Sequence, residues 1–139
     1  MRGGHFLKSW ASTQKNITLS SGEAELVAAV KASTEAIGIC QLSKDWGYDV
    51  EGNIHVDSTA ALGMVNRKGC GKMRHVKVGS LWIQEAADTG ELKYKKVLGT
   101  SNPADLMTKY LAEKDIEKYM NIINQEYRKG RAETALDVS

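Results

Sequence analysis

The chain has 139 residues, a length suited to one domain with a real core. Its 42% hydrophobic and 26% charged residues are ordinary for a globular protein and exclude low-complexity and disordered classes. A net charge of +2 is too small by itself to announce a nucleic-acid partner. No apolar run approaches the roughly 18 residues of a membrane span, and no signal peptide is read before the fold. Cys40 and Cys70 form no C-x-x-C pair and no metal-ligand spacing with His5, His55 or His75; they read as reduced thiols of an intracellular protein. In chain order, FLKSWAS (6–12) has mixed alternation and reads as a strand. Ser20 and Glu23 make an S-x-x-E capping box, which predicts a helix from Ser21 to about Asp45, ended by Trp46, Gly47 and Tyr48. NIHVD (53–57) is a short strand with Asp57 at its carboxyl end, and STAALGMV is a short helix. NRKGCGKMRHVK (66–77) is a loop, VGSLWIQEAAD a helix stopped by Thr89–Gly90, and ELKYKKVL (91–98) a strand. TSNPADLMTKYL starts another helix, with Asn102 as cap and Pro103 at its first position. Ile116, Tyr119, Met120, Ile123 and Tyr127 give a last amphipathic helix, and the final RKGRAETALDVS is a polar tail. Strands alternating with helices predict an α/β domain with a mixed sheet.

Three carboxylates stand out. Glu23 is explained by its place in the capping box, but Glu25 is not. Counting helical steps, Glu25, Ala28, Ala29, Ala32 and Ala36 fall on one stripe, and small side chains let a helix approach a sheet closely. Asp57 ends a strand, where open α/β sheets usually site their chemistry. Asp105 lies in the first turn of the helix opened by Asn102 and Pro103, where complementing the helix dipole is a sufficient explanation on its own. A surface glutamate is the plain alternative for Glu25. Together the three would make an oxygen cage for a hard cation such as Mg²⁺.

The loop 66–77 holds Arg67, Lys68, Lys72, Arg74 and Lys77 with no acid, and also His75. Its local charge exceeds that of the whole chain. Phosphate tracking and a solvated basic loop both account for it. It is not a Walker A motif, because Gly71–Lys72 is followed by Met73. LKYKK adds three lysines, which also serve to protect a strand edge. Trp10, Trp46 and Trp82 read as core or sheet-covering residues.

Four blocks carry a resemblance: KSWASTQKNITLSSGEAELVAAVKASTEAI, IHVDSTAALGMV, MRHVKVGSLWIQE and ELKYKKVLGTSNPADLMTKYL. In order and spacing they resemble the ribonuclease H region of copia-type retrotransposon Pol polyproteins, over about residues 6–111. The resemblance implies a ribonuclease H-like mixed sheet with flanking helices, and cleavage of the RNA strand of an RNA–DNA hybrid by two Mg²⁺ ions. It implies that Glu25, Asp57 and Asp105 are catalytic and metal-binding. The charge of the loop then makes Arg67, Lys68, Lys72, Arg74 and Lys77, with His75, the expected contacts to the hybrid; His75 matches the family's K/R-H-I position, where packing at a helix start is the alternative role. Reverse transcriptase and integrase regions of a parent polyprotein are candidate partners; a membrane is not.

The resemblance also sets a departure. The family's constellation is D-E-D-D, its first aspartate lying on the first strand of an N-terminal hairpin, whereas no aspartate precedes Asp45 here. The expected organisation is an N-terminally truncated ribonuclease H-like domain at 1–111, an amphipathic helix at 112–128 and a polar tail at 129–139. With only E-D-D, the expected metal site is weak or incomplete and the chain alone is not expected to cleave. The competing expectation is a non-catalytic remnant that binds nucleic acid or protein.

Overall fold

The computed structural model describes residues 1, 4–11, 18, 20–69, 81–128 and 130. Among these the chain forms four α-helices and two strands, an α/β arrangement. It divides into two compact units, one of residues 13–100 and one of 1–12 with 101–139.

In the larger unit, α1 (Ser21–Asp45) begins where the capping box places it. Ser20 is extended and its hydroxyl accepts the Glu23 N–H at 3.2 Å. The helix ends at Trp46, and Gly47 takes a left-handed φ of 81° that lets the chain turn away. β1 (Gly52–Val56) follows, then α2 (Thr59–Val65), α3 (Trp82–Asp88) and β2 (Leu92–Lys96). β1 and β2 pair in parallel, Ile54 opposite Tyr94 and Val56 opposite Lys96. Among the described residues the sheet is this parallel pair, where a mixed sheet is the expectation from sequence.

Alternation along β1 turns Gly52, Ile54 and Val56 inward and leaves Asn53 and His55 exposed. α1 packs on β1 and on α2, while α2 and α3 reach β2. The core gathers Ala29, Ile54, Val56, Ala61, Ala86 and Leu92. A second cluster joins Leu26, Val65 and Ile83, and Trp82 and Tyr94 pack against both.

The inward face of α1 is turned relative to the expected alanine stripe. Gly22, Leu26, Ala29 and Ser33 are buried, whereas Glu25 and Ala28 are exposed and Ala32 and Ala36 are half-buried. Leu26 explains the phase: burying a leucine is worth roughly 1.5–3 kcal/mol, more than an alanine can return, so the helix rotates to place it inward. Trp46, at the end of α1, is 63% exposed and Trp10 is exposed too; of the three tryptophans only Trp82 covers the core.

In the smaller unit, residues 6–11 carry no regular secondary structure, contrary to the strand expected over 6–12. Phe6 is half-buried, but Leu7 and Trp10 are exposed, so among the described residues only Phe6 gives the segment apolar cover. Residues 12–17 lie outside the described residues. The helix expected around Asn102–Pro103 is instead two 3₁₀ turns, Gly99–Ser101, which begins in the last residues of the larger unit, and Pro103–Met107. Pro103 forces Asn102 out of the helical region, to φ −94° and ψ 102°, which separates the turns. The Asn102 side chain still caps, accepting the Ala104 N–H at 3.2 Å. α4 (Glu113–Ile122) buries Tyr119 and half-buries Ile116 and Met120, and Ile123 is buried just beyond its end. It stops before Tyr127, which is therefore exposed instead of completing the apolar face. No helix among the described residues is long and apolar enough to cross a membrane.

Candidate carboxylate site and basic segment

Asp57 sits at the junction of β1 and α2, half-buried. Ser58 caps α2 by accepting the Ala61 N–H at 3.1 Å, which fixes the strand-to-helix turn. The Lys96 ammonium donates to the Asp57 backbone carbonyl and, at 2.9 Å, to the Thr59 hydroxyl. A cation from the end of β2 is thus clasped to the carboxyl end of β1, in the register that sets Val56 opposite Lys96.

The start of α1 lies against α2. A Cβ at Gly22 would stand 3.1 Å from the Ala60 Cβ and 3.2 Å from the Met64 Cε, so glycine permits this approach. It sets the start of α1 against Ala60 and Met64 of α2. Glu25 is exposed there, while Glu23, read from sequence as a simple capping residue, is buried at 8% exposure. Asp105 belongs to the other unit. It is buried, and both its carboxylate oxygens stand 3.0 Å from the Lys109 ammonium. Carboxylate oxygens are the donor chemistry that Mg²⁺ prefers, so the residue types fit the ion. Among the described residues, no three His, Cys, Asp or Glu side chains are gathered to hold a metal.

Of the basic loop, Arg67 and Lys68 are described; Lys72, Arg74, His75 and Lys77 lie outside the described residues. Arg67 is half-buried and Lys68 exposed, with an ion pair to Asp88 at 3.3 Å whose two side chains are largely solvated and which therefore adds little stability. Both cations line a cleft of about 500 Å³ with Val65, Leu81, Gln84 and Asp88. Gln84 is the residue that sequence reasoning missed. Its carboxamide donates to the Met64 carbonyl at 2.7 Å and to the Gly69 carbonyl at 3.3 Å, and accepts the Gly69 N–H at 3.0 Å. No local sequence signal announces contacts that span fifteen to twenty positions.

The lysines of β2 are engaged differently from one another. Lys93 pairs with Glu51 at 2.5 Å, and with Asn53 this holds the Glu51 carboxyl below its ordinary value. Lys95 stands opposite His55 on the exposed face. Tyr94 turns inward and bonds Ser33 at 2.8 Å; burial pushes its phenol above the ordinary value. Cys40 is a free, half-buried thiol near Gly52, also pushed up, first by burial and then by Glu91.

Comparison with known proteins adds one relationship. Over 112 residues, 78% of the chain, the sequence is 32% identical to the retrovirus-related Pol polyprotein from transposon TNT 1-94 of Nicotiana tabacum. The chain spans 8% of that protein's length. No protein-family model and no solved structure matches the chain. The α/β unit with an aspartate at the end of its first strand therefore comes from a chain homologous to a short segment of a retrotransposon Pol polyprotein.

Proposed function

We propose that the chain is a retrotransposon-derived, ribonuclease H-like domain that engages RNA–DNA hybrids. In this reading Glu25, Asp57 and Asp105 are its metal-binding carboxylates, and the cations of segment 66–77 are its phosphate contacts. The observation that carries the reading is Asp57 at the carboxyl end of a parallel strand, in a chain homologous to a Pol polyprotein. The exposed Lys68 and half-buried Arg67 offer charge to a phosphate backbone. Contacts to 2′-hydroxyls would separate a hybrid from duplex DNA. Mg²⁺ held by the carboxylates would supply Lewis-acid stabilisation for hydrolysis of the RNA strand. In a parent polyprotein, reverse transcriptase and integrase regions are the neighbours that this reading assigns to it.

A second reading, a nucleic-acid-binding module without catalysis, is favoured by the Asp105–Lys109 pair. An ammonium 3.0 Å from both carboxylate oxygens competes with a divalent cation for them.

Fluorescence anisotropy with labelled RNA–DNA hybrid, duplex DNA and duplex RNA at rising salt tests the shared core of both readings. The expected result is hybrid binding stronger than duplex-DNA binding, with log K falling linearly in log salt. No hybrid binding at the lowest salt, or equal binding to duplex DNA, refutes it. Cleavage by the 139-residue chain, lost on Asp57→Asn, would decide for the catalytic reading.

A further inference from the structure

The strongest feature outside the carboxylates is the way in which Gln84 grips the start of the basic segment. α2 ends at Val65, and its last carbonyls have no partner within the helix. Met64 is one of these, and its carbonyl receives the shortest of the three Gln84 hydrogen bonds, 2.7 Å. The other two close on the backbone of Gly69, one to its N–H and one to its carbonyl. Gly69 has φ 80°, a left-handed conformation suited to glycine, so the chain turns where the carboxamide holds it. Arg67 and Lys68 lie between the two anchor points. One side chain on α3 thereby fixes both ends of the backbone that carries them.

The chemistry is particular to glutamine. Two carbonyls need a donor and one N–H needs an acceptor, and a carboxamide supplies both from one planar group. Glutamate would set a carboxylate oxygen against two carbonyls. Methionine keeps the length and offers neither function.

We propose that Gln84 is a positioning residue for nucleic-acid binding: it pre-orders the 64–69 segment so that Arg67 and Lys68 meet phosphates without first having to be ordered. The proposal rests on the reading of the chain as a hybrid-binding domain. It assigns Gln84 no contact with the nucleic acid. Pre-ordering acts on affinity because immobilising long side chains and a loop on binding is a cost that a rigid segment has already met.

The test is a double-mutant cycle on the full chain, read by anisotropy with the labelled hybrid at fixed low salt. Gln84→Met is expected to weaken binding roughly tenfold, the scale of ordering a loop segment with two long side chains. In an Arg67→Ala/Lys68→Ala background the same substitution is expected to have no further effect, because the residues it acts through are gone. Gln84→Leu, which likewise removes both donor and acceptor without adding a charge, is expected to behave like Gln84→Met and replaces it if that variant does not fold. In both, the Gly69 amide is expected to lose hydrogen-exchange protection. A loss of affinity that persists undiminished in the double-alanine background overturns the proposal, as does unchanged binding by both Gln84 variants when the parent chain binds. Failure of the parent chain to bind hybrid at all overturns the underlying reading, a result distinct from either.

Discussion

The Ser33–Tyr94 contact joins α1 to β2 inside the core, and its removal makes a quantitative test of the fold. Ser33 is fully buried and donates to the Ala29 carbonyl at 2.7 Å. Its single proton is thereby used, so the 2.8 Å contact is a bond donated by the Tyr94 hydroxyl to Ser33. Tyr94→Phe removes that donor and keeps the ring, and is expected to cost about 1 kcal/mol. Ser33→Ala leaves the Tyr94 hydroxyl short of its partner in a half-buried place, a loss of about 1–3 kcal/mol, offset by about 0.5 kcal/mol of better helix propensity. Once either partner is gone, removing the other costs less, so the double variant is expected to fall short of the summed losses by about 1 kcal/mol. Urea unfolding followed by far-UV circular dichroism measures all four corners. Additivity within about 0.3 kcal/mol would show that the two hydroxyls do not act on each other. The pH dependence gives an independent reading. Burial raises the Tyr94 phenol above its ordinary 10.0, so the stability it contributes is complete below about pH 10 and is lost as pH rises through the raised value. That alkaline loss is expected to be smaller in Tyr94→Phe.

Gly52→Ala is expected to destabilise by about 1–3 kcal/mol in the same urea assay, because a Cβ there meets the buried Leu92 side chain and comes within 3.4 Å of the Cys40 sulfur; an unchanged midpoint would contradict the packing of β1 on β2. Cys40 is expected to react with iodoacetamide at pH 8 more slowly than a free thiol, in a Cys70→Ser background, since burial and Glu91 both disfavour its thiolate; mass spectrometry showing equal rates would contradict this. Titration with Mg²⁺ followed by NMR is expected to show weak binding with shifts at Glu25, Asp57 and Asp105, and Lys109→Met is expected to tighten it by removing the competing ammonium. Shifts confined to other residues would remove these three from the metal reading.

What was legible in the sequence is what local chemistry decides. Ser20 with Glu23 marks the start of α1, Trp46–Gly47 its end, and Thr89–Gly90 the end of α3. The alternation in NIHV marks β1, and so places Asp57 at a strand terminus. The phase of α1 was legible in part: Ala29 of the alanine stripe is buried and Ala32 and Ala36 pack against the core, as the stripe implies. Alanines offer little burial energy, so Leu26 draws the inward face round and leaves Glu25 and Ala28 outside it. The segment at 6–11 has strand-forming residues, but among the described residues only Phe6 gives it apolar cover, and strand formation depends on such cover more than on intrinsic preference. Asn102–Pro103 signals a helical start correctly, yet 3₁₀ turns satisfy the same cap with i+3 bonds, such as Thr108 N–H to the Asp105 carbonyl at 3.1 Å. Gln84 acts through backbone far along the chain, so only the tertiary fold reveals it.

The parallel pairing of β1 with β2 bears on how the chain reaches its fold. Gly52 pairs with Leu92, so the strand partners of β1 among the described residues are made forty positions later in synthesis. On a ribosome adding about 5–20 residues per second, β1 therefore waits seconds for its partner. During that interval α1, a continuous 25-residue helix stabilised by its own backbone bonds and already complete in sequence, is the element available to shelter Ile54 and Val56. Nucleation is thus expected on the helix–strand contact, with strand pairing closing a long loop late. Contacts so distant along the chain slow folding relative to a hairpin of the same size.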